Sequence, residues 1–519
     1  MSNPVERELK IQGRQGRACC QGVCGWLISF VCVALLYIVT LAPDLVWQDQ
    51  GDYQYQAAKL NLNRPGDVVR VHPLLIVTAH GLGRLLDGDY AYAANLVSAL
   101  SMAVAAANLW LLVVWLSGST WAGVVAAGTF AFGHTVWFVA VQAQSYGLSS
   151  AALSGVLLMT VAYLRIGKNA CLYAMGLVAG LGFSAHVMSQ IGFAVIMAWL
   201  FIRSLKRKLP GLCFVGIIGA WALGAGLVWM VIAMEVERSG NLGAALMSSI
   251  WGQWGDAVFN MSKVAVLLKQ SALFFVLNFP TPLILLAIPG VFGSFRSPGR
   301  PMAAVLLISM VLYALFAVRY DVPNQNNFFL PMYMLISVYL GLGFAVLAKK
   351  RFWLWAPVSA LLLLALPATY WVISQQAQSR QVELGTRRHI PYRDVYTYYL
   401  LPWQHHQIGP RRLATEMFDK LPAEAVIAAD RTTIPPLQYV QEIEKHRPDL
   451  RILLKDRPLA EVLKAWIPSS RIFTISDAKP YYPNWVEQQS WLKPFAISDE
   501  ENIFEIIIPP DHALWSSGH

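Results

Sequence analysis

The segment Val46-Trp47-Gln48-Asp49-Gln50-Gly51-Asp52-Tyr53 sets Asp49 and Asp52 three positions apart, with Asp44 just upstream, directly after an apolar run over residues 22–42. A carboxylate costs several kcal/mol in hydrocarbon and little just outside it, so acids at this depth sit at a membrane surface, beside whatever lipid the chain handles. Arg70 and His72 close the same loop, and two more polar turns follow, Gln142-Ala143-Gln144-Ser145-Tyr146 and Arg319-Tyr320-Asp321-Val322-Pro323-Asn324. Displacement at an anomeric carbon asks for this combination: a carboxylate to take the proton of an attacking hydroxyl and cations to hold a departing phosphate. Asp49 or Asp52 can serve as the base. Arg70, Arg319 and His72 are candidate phosphate holders, the arginines because a guanidinium fork grips two oxygens and stays charged. The plain alternatives are a solvated loop, arginines that snorkel at helix ends, and a histidine that caps a helix.

The elements that must position these groups are membrane helices. Apolar residues make up 56% of the 519, charged residues only 13%, and nineteen are Trp, a composition outside the range of soluble globules. Runs near 22–42, 90–117, 119–136, 147–164, 170–186, 187–203, 211–233, 271–294, 302–318, 328–348 and 352–374 have the length or apolarity of spans. The spacing therefore predicts a polytopic α-helical protein with about eleven transmembrane helices. Its basic clusters are Arg7 to Arg17, Arg165 with Lys168, Arg203 to Lys208, Arg296 with Arg300, and Lys349 to Arg351. With eleven spans all of them fall on one side, which makes that side cytoplasmic. The net charge of +10 is then a topology signal rather than a nucleic-acid footprint, and no nucleic-acid partner is expected.

The expected organisation is a cytoplasmic tail (1–21), a transmembrane domain (22–374) with a catalytic first external loop (43–89), a linker (375–410) and an external α/β domain (411–519). Residues 72–86 read as an amphipathic helix in the interface, and the Trp-rich segment 235–270 as a cover over the outer face. In the last domain, helices at 411–420, 436–446 and 458–466 alternate with strands at 425–429, 451–454, 471–475 and 503–508, which predicts parallel pairing. No Gly-rich phosphate loop follows the first of these strands. All six cysteines lie in the tail or in spans, so no disulfide framework is predicted. His405 and His406 are adjacent and lack metal-ligand spacing, so no metal site is assigned.

The three polar turns share the face opposite the basic loops. That face has no nucleotide supply, so an activated sugar would arrive on a lipid, and a polyprenyl-phosphate sugar meets that requirement. The rival class is a lipid or solute transporter or flippase, which would place ionisable residues near the midplane. Here the spans are nearly free of them. A non-catalytic assembly protein is the third reading.

The pattern Asp49-Gln50-Gly51-Asp52-Tyr53, His72-Pro73-Leu74, Asn95, Trp137, Ala143-Gln144-Ser145-Tyr146, Gly180-Leu181 with His186, and Arg319-Tyr320-Asp321-Val322 leading to Phe329-Leu330-Pro331-Met332-Tyr333 resembles a GT-C membrane family related to the protein O-mannosyltransferases. Leu421-Pro422, Ala425-Val426-Ile427, Tyr439-Val440-Gln441 and His446 to Arg451 are similar to that family's extramembrane segment. The resemblance implies an inverting glycosyltransferase with a polyprenyl-phosphate sugar donor, Asp49 as base, and Asp52 where the family has Glu. With Gln144, Tyr146, His186 and Asn324 added, the candidates for binding donor phosphate or substrate are these four and Arg70, His72 and Arg319. Gln144 and Asn324 stand where acids are usual, and Leu74-Leu75 replaces Pro-Gly; losing two acids weakens the donor set for a metal. No cofactor is assigned, and a divalent cation is left open. The implied partners are the lipid-linked sugar, membrane lipid and an acceptor hydroxyl of unassigned kind. The implied location is a bacterial inner (plasma) membrane, or the endoplasmic reticulum membrane in a eukaryote, with the N-terminus cytoplasmic and the C-terminal domain external.

Overall fold

The computed structural model describes residues 4–206, 209–258, 263–296, 300–322, 324–384, 390–457 and 471–508. The helices in chain order are α1 (Pro4–Val39), α2 (Gln48–Lys59), α3 (Pro73–Leu85), α4 (Tyr90–Ser117), α5 (Thr120–Ala131), α6 (His134–Ala140), α7 (Tyr146–Ile166), α8 (Ala170–Ala185), α9 (Gln190–Leu205), α10 (Leu212–Gly224) and α11 (Gly226–Ser239). They continue with α12 (Leu242–Ile250), α13 (Gly255–Val258), α14 (Val264–Asn278), α15 (Ala287–Phe295), α16 (Arg300–Arg319), α17 (Leu330–Ser379), α18 (Val395–Leu400), α19 (Gly409–Lys420) and α20 (Ile434–Gln438).

Among the described residues, six helices are long and apolar enough to cross a membrane, or up to nine if each of three bent pairs is one span. The pairs are α5 with α6, bent by 70°, α10 with α11, bent by 66°, and α14 with Pro282–Phe295, bent by 99°. The difference from eleven lies at two places. Helix α8 has 16 residues, about 24 Å at 1.5 Å per residue, short of a hydrocarbon core of about 30 Å. Helix α17 has 50 residues, roughly 75 Å, too long for a single crossing. It breaks at Arg351, whose backbone is non-helical (φ −139°, ψ 48°), directly after Lys349 and Lys350. Three cations at the break suit a membrane surface, and the apolar stretches on either side match the last two expected runs.

The bundle core is built from α4, α7 and the first half of α17, whose fully buried side chains include Leu109, Tyr333, Tyr339 and Phe344. Helix α4 is apolar all round and rich in Ala and Ser, which lets neighbouring backbones approach closely. Gly290 on α15 and Gly343 on α17 carry this furthest: an added Cβ would stand 1.9 Å from the Tyr339 carbonyl oxygen and 1.8 Å from that of Leu286, respectively.

The C-terminal sheet has five strands, β1 (Val426–Ala429), β2 (Arg451–Leu454), β3 (Ile472–Thr474), β4 (Leu492–Ala496) and β5 (Asn502–Ile506), in the order β2-β1-β3-β5-β4. β1 pairs in parallel with β2 and β3, in the register Val426 to Arg451 and Val426 to Ile472. β5 runs antiparallel to β3 and β4, so the sheet is mixed where an all-parallel one was expected. β4 was missed because Lys493 and Pro494 break its apolar pattern; a proline is tolerated there because β4 is an edge strand. The expected helix at 458–466 lies outside the described residues.

The sheet domain has a small cluster of its own, with Val426, Ile472, Trp491 and Ile506, and shares a larger one with the first loop. Leu45 and Trp47 of the first loop and Tyr55 of α2 are buried in one cluster with Leu413, Phe418 and Ile427. Part of the segment expected as a linker is packed too: Trp403 lies against Trp137, with ring centroids 5.7 Å apart, and the Gln404 amide donates to the Thr40 carbonyl at 2.9 Å. Bundle and sheet domain are thus joined through the first loop.

Candidate active site

The first loop is fastened before its acids are reached. Gln54, fully buried, donates to the carbonyls of Asp44 and Ala91 and to the Asn95 side chain, each at 3.1 Å, and accepts from the Val46 amide at 3.0 Å. Asn95 on α4 donates to the carbonyls of Ala42 and Asp44 at 2.9 and 3.0 Å. Burying these amides is tolerable because their donors and acceptors are met. The Asp44 carboxylate is held by Arg411 of α19, which also grips Glu444 at 2.7 and 2.8 Å. Asp44 therefore ties the loop to the sheet domain. Arg411 gives no sequence signal of this task, since its partner lies 367 residues away.

Asp49 stands in the first turn of α2, where the helix dipole favours a carboxylate. Its Oδ1 accepts from Arg70 Nη2 at 2.9 Å, and its side chain is 43% exposed against 18% for Arg70. Burial alone would lower the Arg70 pKa, but Asp49, Tyr53 and Asp67 outweigh it and raise it. Asp52, one turn on, pairs with Arg64 and accepts from Gln56 Nε2 at 3.1 Å. Burial brings Arg64 down to about 10, which still leaves it charged at neutral pH.

Asp49 and Arg70 form one wall of a cavity of about 830 Å³, whose lining includes His72, Gln144, Tyr146, His186 and Asn324. Sequence reasoning thus named seven groups that the fold brings together from five segments. Asp52 and Arg319 are not in the lining. Asp52 is turned to Arg64, and Arg319 ends α16 with its Nε buried and unbonded. Apolar side chains line the cavity too, Ile191, Ala194, Phe316 and Phe328 among them, together with Trp251, Gln253 and Trp254 from the segment expected as a cover. Gln253 donates to Asp67 at 3.2 Å, which fastens this segment to the Arg70 turn.

The two histidines leave the same ring atom, Nε2, in opposite roles. The Nδ1 of His72 lies 2.9 Å from the Ala185 carbonyl oxygen; a carbonyl only accepts, so Nδ1 carries the proton and Nε2 is the acceptor of the neutral ring. Burial, and then His186, push the His72 pKa well below the usual range. His72 at neutral pH therefore offers an acceptor, suited to a sugar hydroxyl, instead of the positive charge expected for holding phosphate. The Nδ1 of His186 accepts from the Met188 amide at 3.2 Å, which leaves Nε2–H as its donor. The rings of His72 and His186 stack with centroids 5.0 Å apart, and Tyr146 stacks on His186 at 4.9 Å. His72 also holds a left-handed backbone (φ 48°, ψ 58°) before Pro73, a conformation that Asn and His tolerate best.

A pH dependence follows. The unfolded chain takes up a proton at His72 near the ordinary pKa of about 6.5, and the folded chain does not, so stability falls as pH drops below that value. His72→Asn, which keeps the backbone geometry, is expected to flatten this acid slope. Equal slopes for both proteins in thermal unfolding between pH 7 and 5 would refute the assignment.

Sequence reasoning missed Arg431, which reaches the same cavity from the turn after β1. Its only signal was position: it follows the first strand, at the carboxyl end where open α/β sheets bind ligands. Among the described residues no three His, Cys, Asp or Glu side chains gather as a metal would require. Asp52 is engaged by Arg64, and Gln144 and Asn324 are neutral. The residues present do not fit a resident divalent cation.

A helical bundle whose first loop folds over a polar and apolar cavity, capped by a small mixed sheet, is the GT-C fold of membrane glycosyltransferases. Two crystal structures of ArnT from Cupriavidus metallidurans share it: in the apo state, with a TM-score of 0.56 and 14% identity, and bound to undecaprenyl phosphate, with 0.53 and 12%. Each comparison covers 93% of this chain and 98% of the other. Part of the chain is also similar to a protein O-mannosyl-transferase. Residues 49–209 match the family described as the Protein O-mannosyl-transferase TMEM260 N-terminal domain, a match that begins at Asp49. The Protein O-mannosyl-transferase TMEM260 of Mus musculus is 24% identical over 461 residues, which is 83% of this chain and 62% of the mouse protein.

Proposed function

We propose that this chain is a glycosyltransferase that moves a sugar from a polyprenyl-phosphate donor to a hydroxyl acceptor on the outer face of the membrane, with inversion at the anomeric carbon and Asp49 as general base. The observation that carries the reading is the Asp49–Arg70 pair on the wall of a cavity lined by both polar and apolar side chains. The polar groups suit a phosphate and a sugar, the apolar ones the first isoprene units. The undecaprenyl phosphate bound by ArnT and the O-mannosyl-transferase name of the mouse relative support the donor class.

In the reaction, the acceptor oxygen attacks the anomeric carbon from the side opposite the phosphate. Its proton passes to Asp49, the bond from carbon to phosphate oxygen breaks, and polyprenyl phosphate leaves with the electron pair. Arg70 bonds only Oδ1 of Asp49, so Oδ2 stays available to the acceptor hydroxyl at hydrogen-bond range. Arg70 holds the carboxylate in place, and His186 Nε2–H is a neutral donor for a phosphate oxygen. Gln144 is positioned through its backbone, whose amide and carbonyl bond Ser98 Oγ at 2.8 and 2.9 Å. The basic clusters orient the bundle with the N-terminus inside and the sheet domain outside.

Purified protein offered a panel of radiolabelled polyprenyl-phosphate sugars, mannose first, with peptide, glycan and lipid acceptors, is expected to turn over at least one donor and give a product of inverted configuration. Turnover of none of them, with transbilayer movement of lipid instead, would hand the case to a transporter.

A further inference from the structure

The positive charge in and around the cavity is mostly spent. Arg70 is bonded to Asp49 at 2.9 Å and lies 3.5 Å from Asp67, Arg64 is taken by Asp52 and does not line the cavity, and His72 is neutral at working pH. Arg431 differs. It lines the cavity, is exposed, and has no hydrogen bond or ion pair with any described residue. A guanidinium with no ion pair of its own, on the same cavity as the Asp49–Arg70 pair, keeps its fork of donors free for an anion.

The backbone around Arg431 is fixed at both ends. The buried Asp430 carboxylate accepts from the amides of Thr432 and Thr433 at 3.0 and 3.2 Å and from their hydroxyls at 2.8 and 3.2 Å. The Thr432 carbonyl in turn accepts from the Gln48 amide at 3.0 Å, one residue before Asp49. The turn that carries Arg431 is thus hydrogen-bonded to the start of the helix that carries the base, while the guanidinium itself has its donors to spare.

We propose that Arg431 is a phosphate ligand of the cavity, so that the sheet domain supplies part of the donor site instead of only covering it. This rests on the reading of the cavity as a polyprenyl-phosphate sugar site. A bidentate fork on the leaving phosphate stabilises the charge that builds on it as the bond to the sugar breaks.

The test uses the full chain in detergent, with farnesyl phosphate, farnesol and inorganic phosphate as probes, and compares wild type with Arg431→Ala, Arg431→Lys and Asp49→Asn. Arg431→Ala is expected to weaken farnesyl phosphate at least tenfold, leave farnesol unchanged, and raise the donor KM more than it lowers kcat. Arg431→Lys should recover part of the loss, since it restores charge but not the fork. Asp49→Asn should keep the binding and lose the turnover. Farnesyl phosphate bound within twofold by wild type and Arg431→Ala, with matched melting temperatures, overturns this inference and leaves the proposed function standing. Wild type that binds no farnesyl phosphate and turns over no donor brings down both. Inorganic phosphate held as tightly as farnesyl phosphate, with the same dependence on Arg431, would overturn the donor assignment in favour of a soluble phosphate.

Discussion

Asp49→Asn is expected to lower the transfer rate by a factor on the order of 10²–10⁴, the usual contribution of a positioned general base, while donor affinity changes little. The substitution is nearly isosteric and keeps an oxygen for Arg70 to bond, so the loop should hold its shape. What it removes is the carboxylate lone pair that accepts the acceptor's proton. Asp52→Asn is the control that separates the two acids. Asp52 is bonded to Arg64 and Gln56 and lies outside the cavity lining, so its loss should act through the loop, lowering the melting temperature along with the rate. A rate deficit for Asp52→Asn that exceeds that of Asp49→Asn, at unchanged melting temperature, would move the base to Asp52.

The second large effect is expected at Gly51, which touches no substrate. A Cβ there would stand 2.3 Å from the Val46 carbonyl oxygen and 3.2 Å from Pro435 Cβ. The first obstacle is backbone and cannot swing aside, so Gly51→Ala must displace the start of α2 or lift α20 away. Either movement carries Asp49 out of register with Arg70, and a misplacement of about 1 Å can cost on the order of 10²-fold in rate. Overpacking of this kind also destabilises by about 1–3 kcal/mol. Transfer activity, melting temperature and protease sensitivity of the sheet domain should therefore change together. Gly81→Ala on α3 is the contrast: an added Cβ meets nothing within 4 Å, and the change should be silent or slightly stabilising. Wild-type behaviour of Gly51→Ala in all three measurements would mean that loop and sheet domain are not held as described.

The membrane class, most helix positions and the candidate base were legible in the sequence, because each is a local property. A run of about 20 apolar residues has few fates other than burial in lipid or in a bundle, and Asp49 announces itself by ending such a run beside Asp44 and Asp52. The polar turns that carry Gln144, Tyr146 and Asn324 were visible in the sequence, but individual roles for them and for His186 came with the resemblance, since a neutral polar residue at a helix end has many ordinary explanations. The helix bends, the antiparallel half of the sheet and the packing of residues 390–410 were not legible, because tertiary contacts decide them.

Composition, period and the placement of charge thus determined that this chain is a polytopic helical protein with a group of acids soon after its first apolar run. Tertiary structure alone decided what each of those acids meets. It turned Asp44 to Arg411 and Asp52 to Arg64, left Asp49 on a cavity wall, kept His72 neutral, and brought Arg431 across from the sheet domain. The reason is one of range. Hydropathy acts residue by residue along the chain and can be read in sequence order, whereas an ion pair or a histidine's protonation depends on which atoms lie within a few ångströms. Arg411 and Pro435, which meet Asp44 and Gly51, are hundreds of residues away from them, and only the folded chain brings them together.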